Sequence, residues 1–91
     1  VGAFASREAN YMVSGVSEAM IAPALKKIVA SNPAPAVYLK THPQGYFKKT
    51  TPRIRVQIVC KGSDLEEVEK RLARISRQML GQIVKLGGRL Q

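Results

Sequence analysis

The side chains of this sequence that can do chemistry are mostly bases. Between Ala19 and Ser63 there are eight lysines and arginines and not one acidic residue. Most of these bases, together with the one histidine of the chain, form the candidate set for contacts with an anion or a phosphate: Lys40, His42, Lys48, Lys49, Arg53, Arg55 and Lys61. The net charge of +9 favours anionic partners by long-range attraction.

Groups typical of catalysis are sparse. His42 has no partner base or carboxylate near it in the sequence, which favours a phosphate contact over a catalytic role. The carboxylates of Asp64, Glu66 and Glu67 have the spacing that compensates a helix dipole and pairs with Lys70, rather than that of a catalytic pair. We therefore predict that this chain is not an enzyme.

Cysteine and histidine counts exclude two further classes. One Cys and one His cannot form an internal disulfide or supply the four ligands of a structural zinc site. We expect no cofactor and no metal in this chain, and a cytoplasmic location. No apolar run has the length of a signal peptide or a membrane-spanning helix, so no membrane partner is expected.

A strand pattern over residues 53–61 fixes where several of the bases point. Because successive side chains of a strand face opposite ways, one face of this strand is apolar: Ile54, Val56, Ile58 and Cys60. The other face is polar except at Val59: Arg53, Arg55, Gln57 and Lys61. A second strand over residues 36–41 adds Lys40 to the polar face. It also adds Tyr38, the one candidate there for stacking against a base.

The remaining elements follow from caps, breakers and periodicity. Residues 9–16 read as a strand and residues 1–8 as a linker or tether. Ser17 is a plausible cap of the first helix, although Pro23 shifts its expected start towards Ala19 or Met20. Residues 42–52, with two prolines and a glycine, read as a long loop.

The last helix has the clearest signals. Ser63 or Asp64 caps its start, and Gly87-Gly88 is a typical stop. Gly81 lies inside the helix and is expected to mark the end of its packed part. In that case three residues would be free for dimerisation or for docking on another domain: Ile83, Val84 and Leu86.

The order strand, helix, strand, strand, helix predicts an α+β two-layer sandwich. Its three-stranded sheet would carry both helices on one face and leave the other face open. Residues 9–91 form one domain. The start at Val1, without Met, indicates a piece of a longer chain. The open basic face is then a binding surface, a solvated face of the sheet without a partner, or a face that another domain of the parent protein covers.

Three segments carry a resemblance to a known family: residues 16–25, 37–43 (Val-Tyr-Leu-Lys-Thr-His-Pro) and 53–59. They resemble the small domain that follows the molybdopterin-binding-like domain in the CinA (competence- and damage-inducible protein) family, especially its archaeal members. Such domains are described as KH-like. The resemblance implies a parent protein with a nucleotide-processing N-terminal domain, which would be the first partner of this chain.

Two functions remain open from the sequence. The first is a non-catalytic accessory domain that packs against, orients or dimerises the nucleotide-processing domain and presents a basic surface. The second is a nucleic-acid-binding module that uses the same basic face. The chain lacks the Gly-x-x-Gly loop with which nucleic-acid-binding KH domains clamp a backbone, so a KH-like shape alone does not predict RNA binding.

Overall fold

The computed structural model of the chain describes residues 5–32, 37–47 and 51–90. The elements in chain order are β1 (Ala5–Ser14), α1 (Glu18–Ser31), β2 (Val37–Phe47), β3 (Thr51–Gly62), α2 (Leu65–Lys85) and β4 (Arg89–Leu90). The predicted α+β class with two helices is confirmed. The predicted number of strands is wrong, because the sheet has four strands. The short β4 is too brief to show an alternating pattern in the sequence.

The sheet is antiparallel throughout, in the order β2-β3-β1-β4. Its central strand β3 pairs with β1 along a ladder that runs from Ala5 opposite Gly62 to Ser14 opposite Arg53. On its other side β3 pairs with β2, the next strand back in the chain. The strand β4 pairs only with the last two residues of β1. The first strand of the chain therefore pairs with the third strand, and not with the second.

The core lies between the helices and one face of the sheet. Strand β3 contributes Ile54, Val56, Ile58 and Cys60, all buried. The helices contribute Ile21, Leu25 and Ile28 from α1 and Val68, Ile75, Met79 and Ile83 from α2. Helix α1 contacts β2, and α2 contacts β1 and β3. The predicted apolar face of β3 and the placement of both helices on that face are confirmed, and we call it the covered face.

Helix α1 begins at its predicted cap but holds its proline deeper than predicted. The Oγ of Ser17 accepts a hydrogen bond from the Met20 N–H at 3.3 Å, and Glu18 occupies the first turn. Pro23 lies inside the helix, so the expected shift of the start towards Ala19 or Met20 is wrong. Proline cannot donate the bond that the Ala19 carbonyl would accept. Burial of the apolar side of α1 outweighs this loss.

Both ends of helix α2 follow the predicted caps. Asp64 Oδ1 accepts a hydrogen bond from the Glu66 N–H at 3.0 Å. At the other end the Gly88 N–H donates to the Ile83 carbonyl at 2.8 Å, and the Gly87 N–H donates to the Val84 carbonyl at 3.0 Å. This pair of bonds is a Schellman motif, which needs the left-handed backbone that Gly87 adopts at φ +87°.

The packed part of α2 does not end at Gly81. Ile83 is 1% exposed and Leu86 packs against the core, so two of the three residues predicted to be free for dimerisation are not available. Only Val84, 71% exposed, faces solvent. The helix stays in contact because the turn after β1 lies beneath its end, where Val16 is fully buried.

The predicted linker and the predicted long loop are largely strand. Residues 5–8 pair with residues 59–62, so the ladder with β3, rather than local propensity, makes them part of β1. Strands β2 and β3 extend far into residues 42–52 and pair up to Phe47 opposite Thr51. A bulge between Pro43 and Tyr46 accommodates Gly45, whose φ is +80°. Pro43 lies on the edge strand β2, one of the places in a sheet where proline is tolerated.

Candidate anion-binding face

The side of the sheet away from the helices, which we call the open face, holds most of the predicted site residues. The register places His42 opposite Arg55, Lys40 opposite Gln57, and Tyr38 opposite Val59. Arg53, Arg55 and Lys61 share this face because they alternate with the buried residues of β3. The structure therefore places six predicted residues along one face of the sheet: Tyr38, Lys40, His42, Arg53, Arg55 and Lys61. Lys48 and Lys49 lie outside the described residues.

These six side chains differ in exposure. Lys40, Lys61 and Tyr38 are exposed, the last by 49%. His42, Arg53 and Arg55 are half-buried. The first group is thus free to meet a partner from solvent, whereas the second is held against its neighbours on the sheet.

A network of side-chain hydrogen bonds crosses three strands of the open face. His42 Nε2 lies 2.9 Å from Gln57 Oε1, and since a carbonyl oxygen only accepts, the imidazole donates. Arg55 Nη1 donates to Asn10 Oδ1 at 2.6 Å. Asn10 Nδ2 in turn donates to Glu8 Oε2 at 2.8 Å. These contacts fix the orientation of the imidazole and of one guanidinium before any partner arrives.

Glu8 is the one carboxylate of this network. Hydrogen bonds from Asn10 and Gln57, with a smaller contribution from the charge of Arg55, hold the pKa of Glu8 below its ordinary value of 4.5. Glu8 is therefore ionised at neutral pH and offsets part of the charge of Arg55. Within the described part of the open face, Lys40, Arg53 and Lys61 make no hydrogen bond or ion pair with Glu8 or Asn10.

Arg53 has an unusual environment. Its Nε is buried, and no hydrogen-bond partner for that atom lies within the described residues. A buried donor without a partner is costly, and such atoms are rare in folded proteins. Arg53 thus combines a charge with an unused donor at the end of β3 where the hairpin begins.

Three residues of this network escaped the sequence prediction: Glu8, Asn10 and Gln57. Glu8 fell in the predicted linker, and Gln57 was placed on the right face without a role. A signal was present, since Ser6, Glu8 and Asn10 alternate with the residues of β1 that face α2. Reading that alternation back to Ala5 predicts the longer strand and places Glu8 and Asn10 on its polar face, although their neighbours on β3 follow only from the register.

The other groups considered for chemistry occupy structural positions. Asp64 caps α2, and Glu66 pairs with Lys70 at 3.4 Å. Cys60 is fully buried, as predicted, and burial raises the pKa of its thiol. No group of three or more potential metal ligands occurs among the residues that the structure describes. Neither helix in the described ranges is long and apolar enough to cross a membrane.

Fold and site together define a small two-layer α+β domain with one open, mainly basic sheet face. No family model matches the sequence. A protein from Metallosphaera sedula is 32% identical over 83 residues, which cover 91% of this chain and 30% of that protein. One from Aeropyrum pernix is 35% identical over 81 residues, which cover 89% of this chain and 29% of that protein. The chain therefore spans about three-tenths of the length of these relatives.

A solved structure shares the fold. It is the crystal structure of a C-terminal segment of the alpha subunit of aIF2 from Pyrococcus abyssi, with a TM-score of 0.56 and 22% sequence identity. The match covers 96% of this chain and 49% of that one. At this identity the likeness concerns the fold alone. The resemblance to the CinA family, the KH-like description and the nucleotide-processing partner domain stay predictions.

Proposed function

We propose that this chain is a non-catalytic assembly module of a larger protein, a counterpart of the C-terminal segment of the aIF2 alpha subunit. The observation that carries the proposal is the extent of the structural likeness, which covers 96% of the chain. The relatives support it, because each is more than three times as long as the part that matches. A domain that is repeated as one part of longer chains is typical of a module with an accessory role.

The open face is the surface we assign to this role. Its exposed bases, Lys40 and Lys61, lie on the face that the helices leave uncovered. The network around Glu8 holds the central side chains in fixed orientations. Binding therefore loses less side-chain entropy than it would with mobile side chains. Electrostatic complementarity with an acidic face would speed association and select the partner. We therefore assign an acidic face of another subunit as the partner.

The test is a calorimetric titration of the 91-residue chain with the remaining aIF2 subunits of its source organism. We expect a complex of one copy each. Reversing both exposed bases of the open face, Lys40→Glu with Lys61→Glu, should weaken it at least about tenfold, as expected for charge reversal at an interface. The matched control is Lys27→Glu with Lys85→Glu, which makes the same charge change at exposed positions of the two helices.

The outcomes separate the two parts of the proposal. No complex with the unaltered chain would reject the aIF2-like assembly role. A complex that the open-face and the helix variants weaken equally would keep the assembly role and remove the open face from it.

One observation favours a second candidate function, binding of single-stranded nucleic acid. Tyr38 is an exposed aromatic ring on the same face as Lys40 and Arg55, and single-strand binders combine stacking rings with cations in this way. A fluorescence-anisotropy titration with single-stranded and duplex oligonucleotides at two salt concentrations tests it. Binding that survives near-physiological salt and falls in Tyr38→Ala supports this candidate. Binding that modest salt abolishes and Tyr38→Ala leaves unchanged rejects it.

A further inference from the structure

The outer edge of the sheet at β2 has no strand beside it. Strand β2 ends the sheet order β2-β3-β1-β4, so within the residues that the structure describes it pairs with β3 alone. Along residues 37–42, where the ladder with β3 is regular, every second residue therefore turns its backbone N–H and C=O outwards. Free strand edges of this kind are templates for the addition of another strand.

An apolar groove runs along this edge on the covered side of the sheet. It has a volume of about 400 Å³ and lies between β2 and α1. Leu39 and Thr41 line it on the sheet. Ala22, Leu25 and Val29 line it on the helix, and Val29 is 38% exposed. A strand added to β2 would turn alternate side chains to the covered side, beside Leu39 and Thr41, where the groove would receive them.

The remaining side chains of an added strand would lie on the open face, beside basic residues. Residues directly opposite each other on neighbouring strands point to the same face, so these side chains would lie next to Tyr38, Lys40 and His42. Lys40, in the middle of this set, is exposed. No acidic residue occurs between Ala19 and Ser63, a stretch that includes all of β2. The charges of the edge therefore favour acidic side chains on the open-face side of the added strand.

The carboxylates of Glu8 and Glu18 do not oppose such a strand. Glu18 accepts a hydrogen bond from Thr41 Oγ1 at 2.7 Å, on the covered side, where only apolar side chains of the added strand would lie. Glu8 lies on the open face, but an added strand would be three strand spacings, about 14 Å, away from it. That distance exceeds the screening length of about 8 Å at physiological salt. At the free edge of β1, by contrast, the same acidic side chains would lie directly beside the ionised Glu8.

We propose that the β2 edge and its groove form a strand-addition site for an extended segment of a partner protein in which apolar and acidic residues alternate. The backbone of the segment would pair with residues 37–42. Its apolar side chains would all enter the groove, and its acidic side chains would all lie on the open face, the central one beside Lys40. A second copy of this chain is disfavoured, because two β2 edges would bring only basic charges together.

This site goes beyond the assembly role proposed above. It shares Lys40 with the open face, but the backbone pairing and the groove do not depend on any aIF2 subunit. A peptide probe therefore tests the site alone, and a failed titration with those subunits would leave its result unchanged.

The probe is a synthetic peptide of alternating valine and glutamate, capped at both ends and long enough to span residues 37–42. A valine–lysine peptide controls for charge, and a peptide with the same valines and glutamates in two blocks controls for alternation. Amide hydrogen exchange of the 91-residue chain, followed by NMR, reports which backbone groups become protected. We expect the alternating glutamate peptide to protect outward amides within residues 37–42 and to leave residues 5–12, on the free edge of β1, unprotected. Both control peptides should leave residues 37–42 unprotected.

A matched pair of charge variants tests the contact with Lys40. Lys40→Glu replaces an opposite-charge cross-strand pair by a like-charge pair and should weaken the glutamate peptide about threefold to tenfold. Lys85→Glu makes the same charge change on α2, outside the groove, and should alter affinity by less than about twofold. Equal weakening by the two variants would contradict the pairing with Lys40.

A second matched pair tests the groove. Val29→Gln places a polar group in the apolar lining and should weaken the glutamate peptide about twofold to fivefold. Val84→Gln makes the same change on α2, outside the groove, and should alter affinity by less than about twofold. Both valines are exposed, so neither change should unfold the chain.

Four results would each overturn the proposal. The first is equal protection of residues 37–42 by the glutamate peptide and either control peptide. The second is protection of the β1 edge in place of residues 37–42. The third is no protection by the glutamate peptide at millimolar concentration. The fourth is protection of the outward amides of residues 37–42 in the free full-length parent protein, which would show that a segment of its own already pairs with this edge.

Discussion

The covered and open faces of the sheet alternate along the same strand, β3, and differ in what holds their side chains in place. On the covered face, Ile58 is fully buried between helices and sheet, and its position is set by packing. On the open face its neighbour Gln57 is half-buried and held by His42. The stability of the covered face therefore depends on side-chain volume. The stability of the open face depends on hydrogen bonding and charge. Only the second is free to take part in recognition.

The largest expected effect contrasts two adjacent residues of β3. Ile58→Ala removes buried methyl groups from the middle of the core and should lower the free energy of unfolding by about 2–5 kcal/mol. Gln57→Ala removes the solvent-accessible hydrogen bonds of Gln57 to His42 and to Glu8 and should cost about 1–2 kcal/mol. Urea unfolding of both variants measures the difference. Equal losses would show that the two faces are not energetically distinct.

A second contrast concerns two glycines of the α2 region. A Cβ at Gly88 would lie 2.7 Å from Ile83 Cγ2 and 3.0 Å from Val16 Cγ1, so Gly88→Ala should cost about 1–3 kcal/mol through overpacking. Gly81 lies in the helix with open space around it, and Gly81→Ala should stabilise the chain by about 0.5–1 kcal/mol. Opposite shifts of the thermal midpoint are expected. Shifts of the same sign would contradict the packing at the end of α2.

The smallest expected effect tests the open face through pH. Because the folded state lowers the pKa of Glu8, its ionised form adds stability above pH 4.5, and that stability is lost as the pH falls through the lowered pKa. The stability of the Glu8→Gln variant should lack this component of the pH dependence. Urea unfolding of both proteins at several pH values below neutrality measures it. Parallel stability profiles would mean that the network around Glu8 does not form in solution.

Sequence alone predicted the parts of the fold in which local pattern and tertiary packing agree. The alternation of β3, the Ser17 and Asp64 caps and the Gly87-Gly88 stop all arise from short-range chemistry. Residues 5–8 and the hairpin ends beyond Thr41 were misassigned because pairing with a distant strand, rather than their own propensity, makes them strand. The α2 end was misjudged because nothing local shows that Val16 lies beneath it.

The residues of the candidate site also differ in whether the sequence alone could predict them. The bases of the open face could be assigned to it because the alternation of β3, and of β2 for Lys40, places them. The contacts of Glu8 and Asn10 could not be assigned, since they depend on the register between β1 and β3. That register joins residues far apart in the chain, and no local pattern specifies it.

The order of the strands also has a kinetic consequence. The β2–β3 hairpin joins neighbouring segments, whereas the β1–β3 ladder must close a loop that contains α1 and β2, from Ser14 round to Arg53 at its shortest. Closing a loop of this length costs conformational entropy, and the contacts of the ladder offset that cost only after they have formed. This step is therefore slow. We expect the hairpin to form early and β1 to add late, after the helices have begun to pack. Partial opening of the native chain would then release β1 first, together with Glu8.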